Sequence, residues 1–200
     1  CWTKEMRDRF PEVVFEGCAS GGMRLDYKTL SAFSLASTSD QSEYLQYPFI
    51  AGNILSAVLP EQAAVWSYPV TDECKEPSDV PDKRIVLNMI NSFLGRMHLA
   101  SHLERLNDNQ MQLVKEGIDY YNSLSEFKKS ALPYFPLGFT NFGDKIVSAG
   151  LKHENKICLA CPPNEYLEDN EMKKCIEPFD YAGLFAKHMN RGILLTTKGK

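Results

Sequence analysis

Residues 11–40 read PEVVFEGCASGGMRLDYKTLSAFSLASTSD, and this stretch decides the fold. Its apolar run Val13–Phe15 is long enough for one short buried strand. The run ends in Glu16–Gly22, a small-residue segment where backbone can approach a ligand closely. A second apolar run, Leu35–Thr38, leads to Asp40. Buried strands that end in polar loops are how α/β enzymes build their sites, although a strand-to-helix turn with solvated charges has the same local pattern.

Two motifs in this stretch resemble those of a known enzyme family. The segment EGCASGGMRLD at residues 16–26 is similar to the E-x-C-x-S-G-G-x-R-x-D signature of glycoside hydrolase family 36, which contains the α-galactosidases. SDQSE, at residues 39–43, resembles the family's S-D-x-T-D motif, and the interval from Cys18 to Asp40 also agrees with the family. The resemblance extends over essentially the whole chain and is most specific between residues 16 and 60.

The sequence departs from the family pattern at several points. Met23 stands where the family usually has a third glycine, and Ser42 and Glu43 replace a Thr and an Asp. The family's nucleophile is the Asp of a K-W-D-x-N type motif, which has no counterpart here, since Trp2 is followed by TKE. The chain also begins without Met. We therefore expect a fragment that carries the acid/base but not the nucleophile, which would lie upstream of residue 1.

The resemblance implies a role for Asp40 as the proton donor, or acid/base. Retaining glycoside hydrolysis uses two carboxyl groups about 5–5.5 Å apart, of which one attacks the sugar and the other protonates the departing oxygen. A helix cap is the alternative for an Asp at this position. The resemblance also makes Cys18 a sugar contact. The expected substrate-binding residues are Cys18, Ser20, Gly21, Gly22, Arg24 and Trp66.

Several of these residues have a second interpretation. Cys18 as a nucleophile would require a nearby base, and every histidine lies far along the chain: His98, His102, His153 and His188. Arg24 and Asp26 either have a structural role, in which they pair with each other or hold the loop, or Arg24 binds a sugar hydroxyl. Glu16 either anchors the loop or faces the sugar. Trp66 either stacks on a pyranose ring or packs inside the fold.

The composition of the chain argues against several classes of partner and cofactor. A net charge of −4 without a basic block argues against nucleic acid as a partner. No apolar run approaches the roughly 20 residues that cross a bilayer, so no membrane partner is expected. Six scattered cysteines favour a reducing compartment and a cytoplasmic location. Cys158 and Cys161, with Cys175 nearby, suggest zinc only weakly, because His153 and His188 are poorly spaced as further ligands. We expect no metal and no cofactor.

The pattern of elements predicts an α/β fold. Residues 1–10 are predicted to end a helix, Leu35–Thr38 and residues 63–69 to be strands, and residues 42–59 to form a helix that Pro48 kinks or delays. A helix is predicted from Ile85 to Leu106, and the next is capped by Asn107 or Asp108. The order of strands and helices is typical of the last part of a parallel (β/α)8 barrel.

The sequence pattern changes from helical to strand-like after Pro133. Short strand-like runs follow at residues 144–152, 156–161 and 191–198, separated by polar turns. We therefore predict the C-terminal part of a barrel over residues 1–135 and a small antiparallel β domain, a β-sandwich, over residues 136–200.

The resulting hypothesis is a retaining α-galactosidase that removes terminal α-linked galactose from oligosaccharides, glycosides or polysaccharides. Within the family, an α-N-acetylgalactosaminidase or a raffinose-synthase-like galactosyl transferase is the alternative. A non-catalytic sugar-binding or structural module is the alternative from another class. Family members are often oligomers, so a homo-oligomer is compatible with the resemblance. The isolated 200-residue chain is expected to be inactive, because a barrel fragment exposes unpaired strand edges.

Overall fold

A computed structural model of the chain describes residues 2–144, 147–154, 156–161 and 193–198, and all structural statements concern these residues. They form one parallel and one antiparallel sheet of four strands each, together with six α-helices. This architecture confirms the predicted mixture of helices and strands. Among the described residues, no helix is both long and apolar enough to cross a membrane.

The parallel sheet is built from four short strands in chain order. Every neighbouring pair is parallel, and the connections between strands contain helices or helical turns. The strands are β1 (Glu16–Gly17), β2 (Leu35–Ser37), β3 (Ala63–Ser67) and β4 (Arg96–Leu99). The helices are α1 (Trp2–Arg9), α2 (Tyr27–Ala32), α3 (Tyr47–Asn53), α4 (Asp82–Phe93), α5 (Asp108–Ser123) and α6 (Ser125–Lys128).

Local sequence explains where several helices begin. Asp26 caps α2, since its Oδ1 accepts the backbone N–H of Thr29 at 3.0 Å. α3 begins at Tyr47 with Pro48 in its first turn, which confirms a delayed start rather than a kink. Asn107 caps α5 as predicted, in a capping box with Gln110.

Two predicted elements are wrong. Val13 and Val14 are 51% and 58% exposed, and the strand begins only at Glu16. The helix predicted to run to Leu106 ends at Phe93, after which the chain turns at Gly95 into β4. A Cβ on Gly95 would lie 2.6 Å from a methyl group of Val65, so the missing side chain lets β4 pair with β3.

The two faces of the parallel sheet differ in character. Side chains alternate along a strand, and paired residues of neighbouring parallel strands share a face. One face packs against the helices, in a core cluster that comprises Ala36, Tyr47, Ala51, Val58, Ala63 and Val65. The other, the polar face, carries Glu16, Ser37, Trp66, Arg96 and His98.

The antiparallel sheet follows in the order β5 (Leu132–Tyr134), β6 (Ala149–His153), β7 (Lys156–Cys161) and β8 (Ile193–Lys198). β6, β7 and β8 confirm the three predicted strands, whereas β5 was not predicted. Ala149, Leu151 and Cys158 share a core cluster with α4 residues such as Ile90 and Phe93, so this sheet packs on the helical layer. The proposed domain division at residue 136 stays a prediction.

Candidate active site

The residues of the predicted site gather at one edge of the parallel sheet. Because β1 to β4 all run the same way, their carboxyl ends meet at this edge. Cys18–Gly22 follow β1, Thr38–Asp40 follow β2, Tyr68 follows β3 and Ala100–His102 follow β4. Open and closed parallel sheets commonly place ligands beyond this end of their strands.

The glycine loop after β1 lies directly against the segment that carries Asp40. Gly21 and Gly22 have φ angles of +64° and +97°, and Ser20 also has a positive φ of 48°. A Cβ on Gly22 would lie 2.2 Å from the carbonyl oxygen of Thr38, and a Cβ on Gly21 would lie 2.7 Å from Asp40 Cγ. Only glycine fits both the backbone conformation and this close approach. The structure therefore brings the two motif segments together.

The Asp40 side chain is exposed at this edge. No hydrogen bond within the described part of the chain engages its carboxylate, so both oxygens are available to a ligand. Its neighbours in the motif have local roles: Ser39 Oγ accepts the backbone N–H of Gln41 at 3.1 Å. Glu43 Oε2 accepts the N–H groups of Leu45 and Gln46, both at 2.9 Å, so Glu43 stabilises the turn before α3.

Two tyrosines that the sequence did not single out lie close to Asp40. Burial raises the pKa of Tyr47 to about 12, while hydrogen bonds to Thr38 and the Trp66 backbone act in the opposite direction. Burial also raises the pKa of Tyr68, and the negative charge of Asp40 adds to this increase. Both phenols therefore stay protonated near neutral pH. Tyr68, which is half-buried, can donate a hydrogen bond to a ligand, whereas Tyr47 is 2% exposed and its hydroxyl is bonded to Thr38 and to the Trp66 N–H.

Tyr47 fixes the backbone at this edge. The Trp66 N–H donates to Tyr47 Oη at 2.8 Å, and Thr38 Oγ1 donates to the carbonyl of Ala64 at 2.6 Å. These two bonds tie the end of β2 and the start of α3 to β3. The segment that leads to Asp40 is thereby held on both sides.

Among the other predicted contacts, Cys18 is exposed and its thiol is free. Arg24 is exposed, and no ion pair joins it to Asp26 in the described part of the chain. Asp26 caps α2 instead, and its hydrogen bonds with Thr29 hold its pKa below the ordinary value. Of the two predicted interpretations, Asp26 thus supports the helix after the loop, while Arg24 as a sugar contact stays a prediction.

Trp66 lies half-buried on the polar face, and its contacts involve neighbouring strands. Its indole contacts the His98 ring edge-on, with 4.6 Å between centroids, and its Nε1 donates to Ser37 Oγ at 3.4 Å. Burial lowers the pKa of His98, and the negative charge of Glu16 opposes that shift. The polar face therefore combines an aromatic plate, an imidazole and a carboxylate.

Among the described residues, Cys158 gives no support to a metal centre. Within the described ranges, no group of three or more His, Cys, Asp and Glu side chains could hold a metal ion. Cys158 is buried, and burial raises the pKa of its thiol to about 12, which opposes the thiolate form that zinc requires. Cys175 and His188 lie outside the described residues.

Sequence reasoning missed Tyr47, Tyr68 and His98. Tyr68 had a usable signal, since it directly follows a predicted strand at the edge where sites form. Tyr47 was assigned to the interior of a longer helix. His98 was assigned to a helix that does not extend so far, so its pairing with Trp66 could not be foreseen.

No family model and no curated protein matches the sequence. Solved structures do match. The galactosidase domain of the α-galactosidase–sucrose kinase AgaSK matches with a TM-score of 0.68 at 15% identity. The match covers 81% of this chain and 22% of the AgaSK chain. GH36 α-galactosidase AgaA of Geobacillus stearothermophilus, solved in complex with raffinose, matches with a TM-score of 0.67 at 16% identity. The match covers 80% of this chain and 22% of the AgaA chain. The α-galactosidase of Lactobacillus brevis has a TM-score of 0.67 at 17% identity, with 80% and 21% covered.

The chain has the fold of a portion of these GH36 α-galactosidases. It spans about a fifth of their length. The resemblance inferred from the EGCASGGMRLD and SDQSE motifs is confirmed at the level of fold.

Proposed function

We propose that the chain is the C-terminal portion of a retaining α-galactosidase of glycoside hydrolase family 36 and that it carries the acid/base, Asp40. In this proposal β1 to β4 are the last strands of a (β/α)8 barrel, and the antiparallel sheet belongs to a C-terminal β-sandwich domain. The observation that carries the proposal is the packing of Gly21 and Gly22 on Thr38–Asp40. It joins the two motif segments into one site.

The position of Asp40 suits a proton donor. It follows a parallel strand at the edge where sites form, and its exposed carboxylate is free of hydrogen bonds to the described residues. The half-buried phenol of Tyr68 supplies a neutral donor beside it. The exposed thiol of Cys18 and the glycine loop flank it on the β1 side and are the proposed contacts to galactose.

Catalysis also needs a second carboxylate, which attacks the anomeric carbon at about 5–5.5 Å from the acid/base. Two further carboxylates of the two motifs are poor choices for this role. Glu43 caps the turn before α3, and Asp26 caps α2. The proposal therefore assigns the nucleophile to a segment outside these 200 residues, on a strand that would face the polar face.

The test is hydrolysis of 4-nitrophenyl α-galactoside by the complete protein that contains this chain. Asp40→Asn is expected to lower kcat by about 10² to 10⁴-fold, since it removes general acid–base catalysis. Asp119→Asn, on the exposed side of α5, is the matched control and should retain activity. Azide should restore turnover of Asp40→Ala and give α-galactosyl azide, because it attacks the glycosyl-enzyme from the face that water uses.

Each alternative has its own signature in this assay. Activity that survives Asp40→Asn would show that the site assignment is wrong while the enzyme class is right. Preference for 4-nitrophenyl α-N-acetylgalactosaminide would favour that relative of the family. A complete protein that hydrolyses neither glycoside but binds galactose would favour a sugar-binding module.

A further inference from the structure

A cavity of about 360 Å³ opens at the carboxyl edge of the parallel sheet, beyond β3 and β4. This volume lies at the lower end of the range of small-molecule sites. Its lining combines apolar surface with several polar side chains, which include Ser42, Tyr68, Thr71, Asp72, Ser101 and His102. Among these six residues, only Tyr68 has a ligand-binding role assigned above, as a hydrogen-bond donor beside Asp40.

The cavity adjoins the proposed acid/base. Ser42, in its lining, is two residues from Asp40, and Tyr68, also in the lining, is close enough for the negative charge of Asp40 to raise its pKa. The strand order β1-β2-β3-β4 therefore sets three features in a row along the edge. These features are the Cys18–Gly22 loop, then Asp40, then the cavity.

The walls of the cavity are held by internal hydrogen bonds. Ser101 Oγ accepts the Val70 N–H at 2.7 Å and donates to the Val70 carbonyl at 3.0 Å, which joins the loops after β3 and β4. From α4, Asn88 Oδ1 accepts the Tyr68 N–H at 3.0 Å, and Arg84 Nη2 donates to Thr71 Oγ1 at 2.8 Å. A binding site whose walls are fixed in advance loses little entropy when a ligand enters.

The rim offers groups that bind hydroxyls. His102 Nε2 lies 2.7 Å from Asp72 Oδ1, and His102 Nδ1 lies 3.1 Å from Glu104 Oε1. This arrangement holds the imidazole between two carboxylates. The Asp72 side chain is 88% exposed, so its second oxygen is open to solvent and can accept hydrogen bonds from a diol.

From this order we propose that the cavity binds the leaving-group part of the substrate, a hydroxyl-rich sugar, with Asp72 and His102 as its polar contacts. The proposal rests on the proposed function. A proton donor must lie beside the glycosidic oxygen, which joins galactose to the leaving group. The proposed galactose contacts in the Cys18–Gly22 loop lie on the β1 side of Asp40. The cavity lies on the β3 side of Asp40 and is therefore left for the leaving group.

The test compares two substrates that share galactose and differ in the leaving group. Raffinose releases sucrose, which carries many hydroxyls, and 4-nitrophenyl α-galactoside releases a phenol without sugar hydroxyls. In the complete protein, Asp72→Ala should lower kcat/KM for raffinose at least about tenfold and that for the aryl galactoside less than about twofold. Asp119→Ala, an exposed change on α5, should alter neither value.

Asp72→Asn serves as the second variant, because it keeps the side-chain shape and should still reduce the raffinose value selectively. Thermal melting of each variant separates lost contacts from lost folding. Equal losses on both substrates, or no loss on either, would overturn the leaving-group assignment and leave the proposed function intact. A wild-type protein inactive on both substrates would instead refute the proposed function, and this inference with it.

Discussion

Gly21 and Asp40 lie so close that a Cβ atom on Gly21 would stand 2.3 Å from the backbone nitrogen of Asp40. The loop after β1 and the acid after β2 therefore form one packed unit rather than two neighbouring loops. The backbone at Asp40 has little freedom to move, because Thr38, two residues earlier, donates a hydrogen bond to the carbonyl of Ala64 in β3. The small residues of the EGCASGG segment thus position an acid that is almost 20 residues further along the chain.

Alanine at Gly22 should disrupt this unit, and the chain offers a matched control. Gly22 and Gly143 both have φ of +97°, but a Cβ on Gly22 would lie 2.2 Å from the Thr38 carbonyl oxygen, whereas a Cβ on Gly143 would have no atom of the described residues within 4 Å. Gly143→Ala should lower the free energy of unfolding by about 1 kcal/mol, for backbone strain alone. Gly22→Ala should cost about 1–3 kcal/mol more, because backbone must move.

Urea unfolding of the two variants measures this difference. Gly21→Ala, compared with Gly138→Ala at a similar positive φ and without a nearby atom, repeats the comparison at Asp40 itself. In the complete protein Gly21→Ala should also reduce galactosidase activity, since it displaces the proposed acid. Equal destabilisation of Gly22→Ala and Gly143→Ala would mean that the loop does not pack on the β2 segment as described.

The sequence was most informative where a local pattern and a packing constraint coincide. Leu35–Thr38 and the run from Ala63 are short, apolar and bounded by turn residues, and both form buried strands. β4 was missed because Met97 continues the apolar spacing of α4, so periodicity alone extends the helix through Gly95. The end of the helix is instead explained by the close approach of Gly95 to Val65, which belongs to the tertiary structure and leaves no local pattern.

The candidate site was predictable only in part, for a related reason. The motifs locate Asp40 and the glycine loop, which are near each other in sequence. His98 joins them only through the parallel register of the sheet, which pairs it with Trp66, 32 residues earlier. Tyr47 joins them through the hydrogen bond that its hydroxyl accepts from the Trp66 N–H. No local pattern carries that information.

Asn91 gives a second prediction, about stability. Its side chain is 5% exposed on α4, beside a small cavity whose other lining residues are apolar, such as Ala51, Ile90 and Ala149. Among the described residues its amide has no hydrogen-bond partner. An unsatisfied buried amide costs about 1–3 kcal/mol. Asn91→Leu should therefore raise the free energy of unfolding by roughly 1 kcal/mol, measured by urea unfolding.

Asn88, three residues earlier on α4, is the matched control. It is 3% exposed, but its amide accepts the Tyr68 N–H at 3.0 Å and donates to the Arg84 carbonyl at 2.9 Å. Asn88→Leu should destabilise the protein by about 1–3 kcal/mol, because it leaves the Tyr68 N–H unpaired. Destabilisation of similar size in both leucine variants would contradict the difference described between the two amides.

The cysteines should differ sharply in reactivity. Cys18 is exposed, whereas Cys158 is 1% exposed and burial raises the pKa of its thiol to about 12. At pH 8 an alkylating reagent should label Cys18 at once and Cys158 only on unfolding, because the thiolate is the reactive form. Mass spectrometry of the labelled peptides distinguishes the sites. In the complete protein, galactose should slow labelling of Cys18, and an unchanged rate would argue against Cys18 as a sugar contact.

The lowered pKa of Lys128 should make the free energy of unfolding depend on pH. Its Nζ lies 3.6 Å from the centroid of the Tyr121 ring and donates to the carbonyls of Phe93 and Gly95 at 3.3 and 3.1 Å. Burial lowers its pKa from 10.5 to about 8. Between pH 8 and 10.5 the unfolded chain therefore keeps a proton that the folded chain has released, so this group makes the free energy of unfolding rise with pH.

Lys128→Met should remove this contribution, so that the free energy of unfolding rises less, or falls more, from pH 8 to 10 than in the wild type. Lys129→Met is the control, since Lys129 is exposed and, among the residues that the structure describes, pairs only with the surface residue Glu126. It should leave the pH dependence unchanged. Urea unfolding at pH 7, 8, 9 and 10 gives the comparison, and other titrating groups, including Cys158 and Tyr47, largely cancel between variant and wild type. Parallel curves for Lys128→Met and the wild type would show that Lys128 keeps its proton when folded, held by the Tyr121 ring and the two carbonyls.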